Sequence, residues 1–171
     1  VHVLRSTSDS DLLLARSVQQ GDFVLASGQR SSFYIDCRLT TMSAEGMVLV
    51  GEAGLAAIRS MGWEATGVGG LTMGADPVAY AIAAASFGSR DPLDAFSVRK
   101  DAKQHGTKRR IEGNFRSGDR VVVVEDVITS GGSALQAIEA VEEAGGQVAG
   151  VLAVVDREQG GRERIAAAGH P

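Results

Sequence analysis

Residues 121–133 read Val-Val-Val-Val-Glu-Asp-Val-Ile-Thr-Ser-Gly-Gly-Ser. The continuous apolar run Val121 to Val124 predicts a strand buried on both faces, as in a parallel sheet. Glu125 and Asp126 then stand at the carboxyl end of that strand, and Thr129-Ser130-Gly131-Gly132 leads into a helix expected from about Ser133 to Ala144. In open α/β sheets, ligands bind outside the carboxyl ends of the strands. Free N–H groups and the dipole of a helix start favour a phosphate there, and glycines let the backbone come close to it. Thr129, Ser130 and Ser133 add hydroxyl donors. Two carboxylates would repel a phosphate, so Glu125 and Asp126 suit sugar hydroxyls or the hydration shell of a Mg²⁺ ion. The segment therefore predicts a site for a ribose 5-phosphate.

Working outward, Gly145-Gly146 ends that helix and Val148 to Val155 is a second buried strand, so strand, helix and strand form a βαβ unit. Upstream, Ala65 to Gly70 predicts a strand, Asp76-Pro77 an N-cap with proline at the first helical position, and a helix to about Ser86. Ala95 to Val98 is strand-like. Nearer the start, a helix is expected from Ser8 to Gln20, stopped by Gly21. Phe23–Ala26 and Phe33–Asp36 read as a hairpin joined by a turn at 27–32, and a long helix fills Ser43 to Met61. The fold class is α/β, a parallel-sheet core over about 62–156 flanked by helices, with a small N-terminal hood of helix and hairpin over about 1–40. All of 1–171 is expected to be one domain. The helical stretch that ends at Ala168-Gly169 would normally be followed by another strand, so a longer native C-terminus is expected.

Composition is that of an ordinary globular chain: of 171 residues, 44% are hydrophobic and 22% charged, too balanced for a disordered tract. No apolar run approaches the ~20 residues of a membrane span, and no signal peptide is read at the start. The single cysteine, Cys37, excludes a disulfide framework and fits a reducing compartment, so a cytoplasmic location is expected. Net charge is −4, which gives no general basic field for nucleic acid. Against that background, Arg99 to Arg110 holds six Lys/Arg and one acid, Asp101. Charge alone fits either a small polyanionic ligand or a solvated loop. A P-loop is excluded, since no G-x-x-x-x-G-K-[ST] occurs, and Gly67-Val68-Gly69-Gly70-Leu71-Thr72 lacks the last glycine of a dinucleotide fingerprint. His2 and His170 are expected to carry no function.

The order of strand, two acids, two apolar residues, Thr and small residues resembles the phosphoribosyl-diphosphate (PRPP) signature of the type I phosphoribosyltransferases. Three more segments are similar to the orotate phosphoribosyltransferases within that superfamily. Ser27–Arg38 resembles their N-terminal hairpin. Val98-Arg99-Lys100-Asp101-Ala102-Lys103-Gln104-His105-Gly106, with Ile111-Glu112-Gly113, resembles their mobile catalytic loop. Val155-Asp156-Arg157, with Glu158-Gln159-Gly160-Gly161, resembles the element after their last core strand.

This resemblance implies transfer of ribose 5-phosphate from PRPP to orotate, giving orotidine 5′-monophosphate and pyrophosphate in pyrimidine (UMP) synthesis. It implies PRPP binding by Glu125, Asp126, Val127, Ile128, Thr129, Ser130, Gly131, Gly132 and Ser133. Diphosphate binding falls to a closing loop with Arg99, Lys100, Lys103 and His105. Lys103 is the first choice for the main transition-state contact, and His105 for a hydrogen bond or proton to the leaving group. Orotate contacts fall to Thr129, Arg157 and Tyr34, with Ile35 beside it; Phe33 and Tyr34 could equally be hairpin core. Mg²⁺ is implied as a cofactor carried by PRPP, with no direct protein ligands. A homodimer with shared active sites is implied, and neither a nucleic acid nor a membrane partner. Departures are Ala26, where some members have Lys, and Thr72-Met73, where some have Tyr-Lys; Arg30 is a conceivable substitute for a missing charge. A purine- or uracil-using relative would lack the orotate elements. A PRPP-sensing regulator would need a nucleic-acid-binding surface or an added domain.

Overall fold

The computed structural model describes residues 1–4, 7–24, 30–101 and 110–170. Its centre is a six-stranded sheet in the order β1-β8-β7-β4-β5-β6. These are β1 (His2–Val3), β4 (Gly67–Leu71), β5 (Asp94–Val98), β6 (Ile111–Gly113), β7 (Arg120–Ile128) and β8 (Gln147–Asp156). All neighbours run parallel except β5 and β6, which are antiparallel. The expected parallel core is thus present, with one antiparallel strand added at its edge. Ile111–Gly113 carries too few apolar residues to announce a strand, yet Phe96, Ser97 and Val98 offer it an unpaired edge. At the other edge His2 and Val3 pair with Leu152 and Ala153, so the start of the chain has a structural place that its residues did not suggest.

Val121 to Val124 are each at most 1% exposed, because alternate residues serve opposite layers. Val122 and Val124 join Val68, Leu152 and Val154 under α3 (Ala44–Ser60) and α4 (Ala75–Ser86). Val121 and Val123 join Phe96, Val151 and Ile138 under α5 (Gly132–Glu143) and α6 (Gly161–Ala167). Ser43 caps α3 by accepting a hydrogen bond from the Gly46 N–H at 3.1 Å. The start of α4 differs from expectation: Gly74, not Asp76, is the capping residue, and Asp76 lies inside the first turn. Its carboxylate is already engaged by the Thr72 hydroxyl, which donates to Oδ2 at 2.6 Å.

The N-terminal hood has α1 (Thr7–Ser17), then β2 (Val18–Val24) antiparallel to β3 (Arg30–Ile35), then the short α2 (Arg38–Thr41). The expected helix to Gln20 is three residues too long. Val18, Gln19 and Gln20 pair with Ile35, Tyr34 and Phe33, and strand pairing overrides their helical spacing. Ser17, fully buried, ends α1 hydrogen-bonded to the Thr40 hydroxyl at 2.7 Å. The expected turn at 27–32 gives way at its end, since Arg30, Ser31 and Ser32 belong to β3; residues 25–29, Ala26 among them, lie outside the described residues. No helix among the described residues is long and apolar enough to cross a membrane.

Candidate active site

The carboxyl ends of β7 and β8 meet at the loop that the sequence singled out. β7 continues through Glu125, Asp126, Val127 and Ile128 before Thr129 and Ser130 lead into α5. Gly131 caps α5 with φ +74°, a left-handed conformation natural to glycine, and its carbonyl accepts the first helical bond, from Leu135. A Cβ at Gly131 would also lie 2.9 Å from the Gly161 carbonyl, and one at Gly161 would run into the Thr129 carbonyl. The two glycines let the start of α6 support the loop from behind, and Arg164 adds a bond from Nη1 to the Ser130 carbonyl at 3.3 Å. The result is a cavity of about 220 Å³ lined by Glu125, Val127 to Ala134 and Gln136. The N–H groups at the first turn of α5 have no partner within the helix and face this space. That is an anion cradle.

The two acids behave differently. Glu125 is only 5% exposed, and its Oε2 is buried without a hydrogen-bond partner. Burial, and then the neighbouring Asp126 carboxylate, push its pKa up to about 9, so the free protein holds Glu125 protonated at neutral pH. The Lys100 ammonium pulls in the opposite direction, which places the end of β5 within electrostatic reach of the acid pair. Asp126 accepts the Val127 N–H at 2.8 Å. It is also packed by the β4–α4 turn, where a Cβ at Gly74 would stand 2.5 Å from Oδ1. In that turn the Thr72 N–H donates to the Val98 carbonyl, and Asp76 Oδ1 is buried without a partner. The Thr72–Met73 peptide is cis.

Arg157 follows β8, its N–H bonded to the Ile128 carbonyl at 2.9 Å, so it sits directly beside Thr129. Its guanidinium lies 5.0 Å above the Phe33 ring, which ties the hood to the core. Phe33 and Tyr34 are 40% and 38% exposed, so neither is buried in a hairpin core. Tyr34 points to the opposite face of β3 and stands 5.7 Å from Phe23. The contact of Phe33 with Arg157 was not read from the sequence; strand alternation alone cannot say which of two adjacent aromatics faces the core. Arg99 pairs with Glu112 at 3.3 Å, and its N–H bonds the Arg110 carbonyl, which closes the base of the basic segment. Arg110 continues toward Glu139 and Glu143 on α5, at 3.7 and 3.8 Å. Lys103 and His105, with Lys108 and Arg109, lie outside the described residues. Cys37 is 1% exposed, and burial followed by the Asp126 and Asp36 charges pushes its thiol up to about 12, which leaves it inert as a nucleophile. Arg30 pairs with Asp22 in the hairpin and is spoken for there.

Comparison with known proteins agrees with this geometry. The phosphoribosyl transferase domain family matches residues 50–168. The orotate phosphoribosyltransferase of Aquifex aeolicus is 47% identical over 163 residues, 94% of this chain and 88% of that protein. The chain belongs to the orotate phosphoribosyltransferase family. Among solved family members, the Mycobacterium tuberculosis enzyme in complex with Fe(III) dicitrate superposes with a TM-score of 0.82 at 44% identity, covering 95% of this chain and 90% of that one. The same enzyme in complex with PRPP superposes with a TM-score of 0.77 at 40% identity and the same coverage. Identity of this extent embraces the hood as well as the core, which a likeness confined to the sheet would not.

Proposed function

We propose that the chain transfers ribose 5-phosphate from PRPP to orotate, forming orotidine 5′-monophosphate and pyrophosphate. In this step the bond from ribose C1 to the diphosphate oxygen breaks. A bond from C1 to an orotate ring nitrogen forms, and that nitrogen gives up its proton. The observation that carries the reading is the juxtaposition of an anion cradle at 129–133, an acid pair at its edge and Arg157, whose backbone N–H bonds the Ile128 carbonyl where the cradle begins. Each part answers one group of the two substrates.

The 5-phosphate belongs in the cradle, on the Ser130, Gly131, Gly132 and Ser133 N–H groups and the Thr129, Ser130 and Ser133 hydroxyls. Ribose hydroxyls fall to Glu125 and Asp126. Glu125 enters the reaction carrying a proton, and its unpartnered Oε2 is satisfied when the sugar arrives. The planar fork of Arg157 grips the orotate carboxylate with two parallel hydrogen bonds, a contact that uracil cannot offer. Phe33 holds that fork in place. Arg99 and Lys100 meet the diphosphate from the end of β5, and Lys103 and His105 complete the loop. Cations that close on a departing diphosphate stabilise its growing charge, and a closed loop keeps water from an oxocarbenium-like ribose.

Mg²⁺ would arrive with PRPP and neutralise part of the diphosphate charge. Asp126 is an oxygen donor of the kind its hydration shell prefers. The diphosphate itself would be its principal ligand.

A homodimer with shared sites belongs to the same reading. Leu39 on α2, Met42 just after it, Val48 on α3 and Tyr80 on α4 are exposed, on elements that pack on one another. Exposed apolar side chains on packed elements support an interface between copies here. The direct test mixes the chain with PRPP, orotate and Mg²⁺ and follows both products. Equimolar pyrophosphate and orotidine 5′-monophosphate are expected, with neither formed when orotate is left out. Pyrophosphate without the nucleotide would mean hydrolysis, and would overturn the reading.

A further inference from the structure

A second cavity, of about 850 Å³, lies at the opposite end of the sheet. It opens where α3 ends, between Arg59 and Thr66 on one side and the 90–93 turn on the other, with Arg120 at the start of β7. Leu55, Ile58 and Leu93 are buried and form its floor. β7 runs from Arg120 to Ile128, about 26 Å at 3.3 Å per residue, so this cavity is separate from the phosphate cradle.

Its charges set it apart. Elsewhere among the described residues most arginines are engaged: Arg16 with Glu45, Arg38 with Asp36, Arg99 with Glu112, Arg110 with Glu139 and Glu143, Arg162 with Asp156. Arg59, Arg90 and Arg120 have no such partner among the described residues, although all three line one cavity. Glu64 and Asp91 line it too, and neither is paired with them. Trp63 completes the wall. Its backbone N–H donates to the Ile58 carbonyl at 3.2 Å, and its ring lies where a side chain at Gly150 would otherwise stand. Three guanidiniums without a salt-bridge partner, brought together from a helix end, a loop and a strand start, outnumber the two carboxylates of the lining and form a site for a multiply charged anion. A fixed indole beside them suits a flat ring, and free carboxylates suit hydroxyl and ring N–H donors.

We propose that this cavity binds a nucleoside di- or triphosphate, with its phosphates on Arg59, Arg90 and Arg120 and its base against Trp63. The site is independent of catalysis. It would let a nucleotide that is neither substrate nor product bind while the phosphate cradle is filled.

Trp63 is the chain's single tryptophan, so its fluorescence reports on this cavity directly. The experiment titrates the full chain with ATP in the absence of Mg²⁺, exciting on the red edge of the indole band. A saturable change is expected, with affinity lowered at least roughly tenfold in R59A/R120A, since charge-assisted hydrogen bonds are lost. The double variant should keep wild-type orotate turnover, because neither residue is part of the reaction site. Ring-free tripolyphosphate should compete at least roughly tenfold more weakly than ATP. No saturable change, or the same affinity in the double variant, would overturn the site. Tripolyphosphate binding as tightly as ATP would overturn the base contact, and displacement of ATP by PRPP at its own binding concentration would show the cradle, not this cavity, to be the site.

Discussion

Replacing Arg157 by alanine separates the two substrates. The backbone N–H of Arg157 donates to the Ile128 carbonyl, which holds the residue beside Thr129, and its guanidinium is steadied by the Phe33 ring at 5.0 Å. Two hydrogen bonds to a carboxylate are each worth about 1.5–3 kcal/mol, and the half-exposed position argues for the lower figure. Their loss, about 3 kcal/mol, corresponds to a rise of roughly 100-fold in the KM for orotate. PRPP touches neither the guanidinium nor Phe33 in this account, so its KM should move by less than about twofold, with the backbone bond at 157 intact. Phe33→Ala should give a smaller effect in the same direction, about 0.5–1 kcal/mol and therefore two- to fivefold, because a cation–π contact at an exposed site is worth that much. Steady-state kinetics with each substrate varied in turn is the assay. Equal weakening of orotate and PRPP by Arg157→Ala would refute the carboxylate grip, and an orotate KM unaffected by Phe33→Ala would refute the steadying role.

Gly74 has an ordinary helical φ of −64°, so alanine is not strained there, but its Cβ would stand 2.5 Å from Asp126 Oδ1. Gly74→Ala should therefore displace the Asp126 carboxylate and raise the KM for PRPP roughly tenfold, the value of one charge-assisted bond, with the KM for orotate unchanged; an unchanged KM for PRPP would dissociate Asp126 from the sugar. Glu125 ionises near 4.5 when unfolded and near 9 when folded, so the folded chain binds the extra proton between those values and stability falls as pH rises through them. Glu125→Gln removes this slope, and melting midpoints of wild type and variant should diverge in favour of the variant from pH 5 to 9; parallel curves would contradict a protonated Glu125. Mixing the Lys103→Ala and Arg157→Ala proteins should restore part of the activity if one subunit's loop serves its partner's site, and no recovery in demonstrated mixed dimers would count against sharing.

The chemistry of the core was readable because several local signals agreed. The run Val121–Val124 demands burial on two faces, acids at its end demand a polar partner, and Gly131-Gly132 permits a close backbone approach; the cavity at 125–136 is their sum. Elements whose existence depends on a distant edge were not readable in the same way. Ile111–Gly113 is a strand because β5 leaves an edge open, and Val18–Gln20 leave the helical pattern because β3 pairs with them. Asp76 looked like a helix cap from its position before proline, but Thr72 already holds its carboxylate and Gly74 starts the helix. The choice between Phe33 and Tyr34 against Arg157 depends on how the hood docks, a tertiary fact with no local signal.

The most direct test of the central claim is a spectrophotometric assay of orotate consumption in the presence of PRPP and Mg²⁺, with uracil and adenine offered in parallel. Consumption of orotate alone is expected, dependent on both PRPP and Mg²⁺. Turnover of uracil at a comparable kcat/KM would contradict it, because no residue in this site except Arg157 has been assigned to tell a carboxylate from a hydrogen.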